Sequence, residues 1–236
     1  MKKLVLIPAF NEELSLPGII AEIKRDLSDF DILVVDDGSS DNSRNIAISQ
    51  GVKVISLPFN VGVGGAVRVG FKYAFLNSYG LVIQIDADGQ HIPTEANKLL
   101  NSMTTDCVVV GSRFSNNSKT YKTNFAKKLA IKTLAVITSF ICKTKLTDVS
   151  SGFRLTTGKA IQLFAAQYPR DYLGDTVESL ILAHNNGMTL IEIPVLMRQR
   201  EFGSPSQNLF KSLWHLIRIL MVVILSLLQK SNSRGN

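Results

Sequence analysis

The chain has 236 residues, of which 45% are hydrophobic and 19% charged. That is enough for one large domain with a substantial core, and it excludes a disordered or fibrous protein. Two cysteines, Cys107 and Cys142, sit in apolar surroundings without metal-ligand spacing, which argues against a disulfide framework and for a reducing compartment.

The formal charge of +7 is unevenly placed. From Cys107 to Thr147 there is no acid, only Arg113 and seven lysines, and after Glu201 there is again no acid. These segments carry +8 and +4, which leaves −5 for the remainder. An acidic body with two basic, apolar-rich segments points to an anionic ligand or surface.

In chain order, 3-KLVLI-7 opens the sequence as a strand; the apolar run is too short for a signal peptide and meets Pro8 and then acids. Further Val- and Ile-rich runs at 31-DILVVDD-37, 52-VKVISL-57, 81-LVIQID-86 and 107-CVVVGS-112 read as strands buried on both faces. Helical patterns near 14–27, 41–50 and 63–77 separate the first four, with cap residues in 40-SDNS-43. This alternation predicts an α/β fold with a mainly parallel central sheet and helices on both faces. Ligands of such sheets bind beyond the carboxyl ends of the strands. The polar stretches 8-PAFNEE-13, 36-DDGSSD-41, 60-NVGVGG-65 and 86-DADGQH-91 all fall there and define a candidate site.

The second half is less regular. Helices are expected at 124–142, near 158–167 and near 175–186, followed by a strand at 189–197 and a last helix near 208–228. The run 219-ILMVVILSLL-228 is shorter than the ~20 apolar residues that span a bilayer, so this helix reads as amphipathic and interfacial. The tail 229–236 is expected to be disordered.

Asp86 and Asp88, one residue apart at a strand end, form either an Asp-rich turn or half of a site for a hard divalent cation completed by a diphosphate. In 36-DDGSSD-41 the acids are ordinary turn and capping residues, or acceptors for a base N–H or ribose hydroxyl. The glycines of 60-NVGVGGAVRVG-70 invite a dinucleotide reading. However, Val67 replaces the third glycine, the motif follows the third strand, and no acid follows at the expected distance. Close approach of a helix to the sheet or to a ligand explains them better. Asp175 and Glu178 lie one helical turn apart and suit either a catalytic base or the helix dipole.

Taken in order, 8-PAFNEE-13, 34-VVDDGSSDNS-43, 60-NVGVGGAVRVGF-71, 85-IDADGQHIP-93, 111-GSRF-114, 148-DVSSGFR-154 and 192-EIPVLMRQREFGSPS-206 resemble the family 2 glycosyltransferases of GT-A fold. Within them the resemblance is to the polyprenyl-phosphate sugar transferases, related to dolichol-phosphate mannose synthase and its bacterial undecaprenyl-phosphate counterparts. It implies a catalytic domain over 1–207, a membrane-surface or oligomerisation helix over 208–228, and an inverting transfer of a hexose from a nucleotide sugar to polyprenyl phosphate, in cell-wall or glycan modification.

Carried over by position, Pro8, Phe10, Glu12 and Asp36 would hold the base and ribose. Asp86, Ala87, Asp88 and Gln90 would hold the diphosphate and an Mg2+ or Mn2+ ion, with Asp88 and Gln90 on the metal. Arg113 and Ser151 would meet the acceptor phosphate, and Arg200 the donor diphosphate. Asp86, Asp88, Arg113 and Ser151 are thus the expected catalytic set. Ser206 stands where the dolichol-type enzymes carry a lysine, so donor preference does not transfer.

The implied partners are a UDP- or GDP-hexose, polyprenyl phosphate and the cytoplasmic face of the cell membrane, held peripherally through the two basic segments; nucleic acid is not among them. A membrane-protein partner or a second copy is the alternative for the last helix. A phosphate acceptor is already anionic near neutral pH and needs no general base, whereas a sugar hydroxyl on a glycan would need one, with Asp148, Asp175 and Glu178 as candidates. A non-catalytic membrane-surface scaffold of the same fold is the alternative from another class.

Overall fold

Seven strands form one sheet in the computed structural model, which describes residues 1–114, 125–169 and 174–200. In chain order they are β1 (Lys2–Ala9), β2 (Asp31–Asp36), β3 (Lys53–Ser56), β4 (Tyr79–Gln84), β5 (Cys107–Ser112), β6 (Arg154–Thr157) and β7 (Thr189–Pro194). The helices are α1 (Leu16–Asp26), α2 (Ser43–Ser49), α3 (Val63–Leu76), α4 (Ala96–Ser102), α5 (Phe125–Cys142), α6 (Lys159–Gln167) and α7 (Gly174–Asn185). All of these lie within one compact unit, Met1–Gly203. The expected helix 208–228, the tail 229–236 and Ser206 lie outside the described residues.

The strand order is β3-β2-β1-β4-β6-β5-β7, and every pairing is parallel except those of β6 with β4 and β5. Six strands therefore end on the same rim, as the alternation predicts for a mainly parallel sheet. Because β6 runs the other way, the loop that enters it, 147–153, lies on that same rim. One reversed strand thus adds a fifth polar loop to the four that follow β1 to β4.

Leu4, Val5, Leu6 and Ile7 of β1 are wholly buried, as central strands covered on both faces require. Helix α1 turns Leu16, Ile19, Ile20 and Ile23 onto the sheet and sets Lys24 and Arg25 in its last turn against the helix dipole. Truncating a fully buried Ile20 to alanine should cost about 2–5 kcal/mol. A Cβ at Gly70 of α3 would lie 2.1 Å from Leu6 Cδ1, so that glycine serves the close packing of helix on sheet.

Two elements were not legible in the sequence. Helix α4 has only seven residues with two of them buried, too short for a period to stand out. Strand β6 is four residues long and begins inside the polar motif 148-DVSSGFR-154.

Candidate active site

The loops after β1 and β2 are joined by hydrogen bonds between main-chain N–H groups and short polar side chains. The N–H groups of Asn11 and Glu12 donate to Ser39 Oγ (3.0 Å) and Ser43 Oγ (2.8 Å). The Ser40 N–H donates to Asn11 Oδ1 at 2.8 Å, and Glu13 N–H to Asp41 Oδ2 at 3.1 Å. Asn11 sits at φ 55°, a left-handed conformation that asparagine tolerates, and this turns the loop back toward β2. Pro8 is buried and Phe10 is exposed beside the stitched loops, available as an apolar platform.

Both aspartates after β2 are buried. Asp36 accepts the Ser39 N–H at 3.1 Å. Asp37 accepts the N–H groups of Val61 (2.8 Å) and Gly62 (2.9 Å) at the start of α3, and its burial raises its carboxyl pKa. The Asp37 carboxylate thus holds the loop that leads into α3 by two main-chain N–H groups just ahead of the helix.

At the end of β4, Asp86 Oδ1 accepts a hydrogen bond from Gln84 Nε2 at 3.1 Å, and Asp88 Oδ1 accepts the Gln90 N–H at 3.1 Å. Ala87 between them is buried. Burial, and then repulsion from Asp86, raise the Asp88 carboxyl pKa. Arg200 joins this pair to the first loop: its guanidinium bonds Glu12 Oε1 and lies 3.8 Å from Asp88 Oδ2. Glu12 Oε2 accepts the Ser15 hydroxyl at 2.7 Å. Burial raises the Glu12 pKa while Ser15 and Arg200 pull it down. The approach of Arg200 is fixed by the neighbouring chain, where the Arg198 N–H donates to the Gln90 carbonyl at 2.9 Å.

Across the rim, Arg113 clamps the loop before β6. Its Nε and Nη2 bind the two oxygens of the wholly buried Asp148 at 2.6 and 2.7 Å, and Nη2 also reaches Ser150 Oγ at 2.8 Å. Glu192 on β7 supports the same loop by accepting the N–H groups of Thr147 (2.6 Å) and Asp148 (3.0 Å). Beneath it the buried Arg154 donates to the carbonyls of Ser151 (2.8 Å), Val149 (3.0 Å) and Thr176 (2.8 Å) and to Ser179 Oγ (2.8 Å). Ser151 faces inward, its Oγ accepting the Phe153 N–H at 3.2 Å. Asp175 is also buried, and that burial pushes its carboxyl up to about 7 despite the pull of Arg154.

The two sides meet at Asp86. A Cβ at Gly152 would stand 2.7 Å from Asp86 Oδ2 and 3.1 Å from Gln84 Nε2, so the loop before β6 lies directly against that carboxylate and a side chain here would displace it. Among the described residues no cluster of three or more His, Cys, Asp or Glu is poised to hold a metal. The pair Asp86 and Asp88 nevertheless fits a hard divalent cation. It offers anionic oxygens, one of them penalised by burial and by its neighbour, and Mg2+ or Mn2+ would draw its other ligands from a diphosphate and water.

Sheet topology, rim loops and acid pair agree with the GT-A fold that the sequence resembles. The chain belongs to glycosyl transferase family 2, whose family model matches residues 4–164. It is 29% identical to the undecaprenyl-phosphate mannosyltransferase of Micrococcus luteus, over 88% of each chain. It is 28% identical to the UDP-N-acetylglucosamine--dolichyl-phosphate N-acetylglucosaminyltransferase of Methanococcus voltae, over 94% of this chain and 97% of that one. Among solved structures, glucosyl-3-phosphoglycerate synthase from Mycobacterium tuberculosis in complex with Mg2+ and UDP superimposes with a TM-score of 0.69. That match has 18% identity and covers 95% of this chain and 78% of the other, a likeness of fold.

Every expected site residue that lies on the rim motifs comes to one edge of the sheet. Glu12 and Arg200 meet each other there, and Arg113 meets Asp148. Sequence reasoning named Asp148 only as a candidate base and missed Ser150, Glu192, Arg154, Gly152 and His91. The GFR and EIP stretches belong to the motifs that carry the resemblance, but nothing local in them marks which residues pair.

Proposed function

We propose that the chain transfers a hexose from a nucleotide sugar to the phosphate of a polyprenyl phosphate at the cytoplasmic membrane surface, with inversion at the anomeric carbon. The observation that carries this reading is the shared wall at Asp86, where the donor-side acid pair and the arginine-clamped loop touch through Gly152. The names of the relatives in Micrococcus luteus and Methanococcus voltae supply the acceptor class.

In this reading Phe10 and Asp36 hold the base and ribose, and Pro8 shapes the loop that presents them. Asp86, Asp88 and Gln90 hold Mg2+ or Mn2+, which when bound offsets charge on the leaving diphosphate. Arg200 leaves Glu12 and Asp88 for the donor phosphates once these arrive, replacing two carboxylate partners with stronger anions. Arg113 meets the acceptor phosphate with its orientation set by Asp148, and Ser150 lines its approach; Ser151, expected at that phosphate, is instead buried with its Oγ on the Phe153 N–H and supports the loop from within. Asp148 is wholly buried and committed to Arg113, so it does not serve as a general base. A phosphate monoester, with a second pKa of ~6, needs none.

Helix α5 supports attachment to lipid. Ile131, Leu134, Ala135, Thr138 and Cys142 face inward, while Val136 and Phe140 are 63% and 80% exposed and Lys132, Lys143 and Lys145 are exposed around them. No described helix is long and apolar enough to cross a membrane. Each lysine near an anionic surface contributes ~1 kcal/mol.

The test is a panel of labelled UDP- and GDP-sugars incubated with undecaprenyl phosphate and Mg2+ or Mn2+, with label counted in the organic phase and Asp88→Asn alongside. Label entering lipid from one donor and vanishing in the variant supports the reading. No lipid label from any donor sinks it. A second reading, a sugar hydroxyl as acceptor, would need a base; Asp175 has a carboxyl pushed up to about 7 by burial, but it is 3% exposed and would have to be uncovered to reach a hydroxyl. Asp175→Asn with full transfer to undecaprenyl phosphate removes it.

A further inference from the structure

A buried imidazole lies under the first aspartate of the acid pair. Gly89, at φ 75°, reverses the chain after Asp88 and returns His91 beneath Asp86. The Asp86 N–H donates to His91 Nδ1 at 3.0 Å, and His91 Nε2 lies 3.7 Å from Asp86 Oδ2. An Nδ1 that accepts carries no proton, so the ring N–H sits on Nε2, on the side of the Asp86 carboxylate. The ring is 4% exposed and stacks on Phe153 at 4.9 Å and 18°. The His91 main chain forms an isolated antiparallel bridge with Met197, just beyond β7.

A histidine that only fills space has no reason to turn both nitrogens toward one residue. Here both address Asp86, one through its main chain and one facing its carboxylate. Asp86 itself keeps 34% of its side chain exposed to the rim, so it is held from behind and open in front. The stacking partner Phe153 follows Gly152, the residue whose missing Cβ lets the loop before β6 touch Asp86.

We propose that His91 is a positioning residue for Asp86, holding that residue in place through the hydrogen bond its Nδ1 accepts from the Asp86 N–H. The proposal rests on the reading of Asp86 as part of the donor site. His91 touches no reacting atom; it fixes where the Asp86 oxygens stand. Partners of this kind behind a ligating carboxylate are worth ~10–100-fold in affinity or activity.

The test compares His91→Phe with His91→Asn in the full chain. Phenylalanine keeps an aromatic ring against Phe153 but provides no acceptor for the Asp86 N–H. Asparagine gives up the stacking but places a carbonyl oxygen where Nδ1 stood. Two readouts are taken: hydrogen exchange of the Asp86 amide, and affinity for UDP and for GDP in the presence of Mn2+. Expected in His91→Phe are a roughly tenfold or greater acceleration of Asp86 amide exchange and a ~10–100-fold loss of nucleotide affinity, both recovering in His91→Asn. A merely structural role would make both variants lose affinity in step with their melting temperatures, without rescue. The proposal is overturned if His91→Phe leaves both readouts within twofold of the parent, or if His91→Asn is no better. Should His91→Phe fail to fold, His91→Gln, which offers nothing at the Nδ1 position, takes its place with the same expectation. If the parent chain binds neither nucleotide, the functional reading fails and the amide exchange alone decides the clamp.

Discussion

On the side of the rim formed by β1 and β2, the loops are held by main-chain N–H groups bonded to the short side chains of Asn11, Ser39, Ser43 and Asp41. On the side formed by β5, β6 and β7, the loop is held by buried charge: Arg113 on Asp148, Glu192 under Thr147, Arg154 among three carbonyls. The first kind of scaffold distributes its stability over many bonds worth ~1 kcal/mol each. The second concentrates it, because removing one partner strands a charge away from water. A loop that must present a cation to a phosphate has reason to be built the second way. The guanidinium is kept charged, oriented and partly desolvated before the ligand arrives.

The largest expected effect tests that contrast directly. Asp148→Ala removes the buried carboxylate that Arg113 binds through two nitrogens, and should cost about 3 kcal/mol in urea unfolding. Ser43→Ala on the other side removes the acceptor of the Glu12 N–H and should cost about 1 kcal/mol. Equal costs would break the comparison. Next comes the wall between the two halves. Gly152→Ala drives a methyl against Asp86 Oδ2 and should lower transfer by ~10²-fold, the scale of a misplacement near 1 Å. Turnover within threefold of the parent would show that the halves are not mechanically joined. Smaller again is membrane attachment: Phe140→Asp should weaken binding to anionic vesicles by roughly tenfold or more, from loss of apolar burial and added repulsion. A co-sedimentation series reads this out, and unchanged binding would remove α5 from the membrane contact.

The gentlest test is pH. Asp175 has a folded-state pKa of about 7, against about 3.9 in the unfolded chain. Between those values the unfolded chain has released the proton that the folded chain retains. Stability therefore falls as pH rises from about 4 to about 7, and is flat beyond. Asp175→Asn removes this component, so its unfolding free energy should gain on the parent across that window and then run parallel. A difference that is constant from pH 4 to 8 would place the carboxylate in an ordinary polar environment.

Strands β1 to β5 and β7, the helices α1, α2, α3, α5, α6 and α7 and the acid pair Asp86 and Asp88 could be read directly, because apolar runs, a 3.6-residue period and turn residues at strand ends are local properties of the chain. The sequence also placed four polar loops on one rim, since parallel strands joined by helices leave no other arrangement. Tertiary structure decided the rest. It set β6 antiparallel and so delivered the loop 147–153 to the same rim. It paired Arg113 with Asp148 across 35 residues and Arg200 with Glu12 across 188. It also turned the imidazole of His91 under Asp86. No period or spacing encodes such pairs. An ion pair between distant residues is chosen by which side chains the finished sheet leaves within reach and out of water, and that is known only once the sheet has closed.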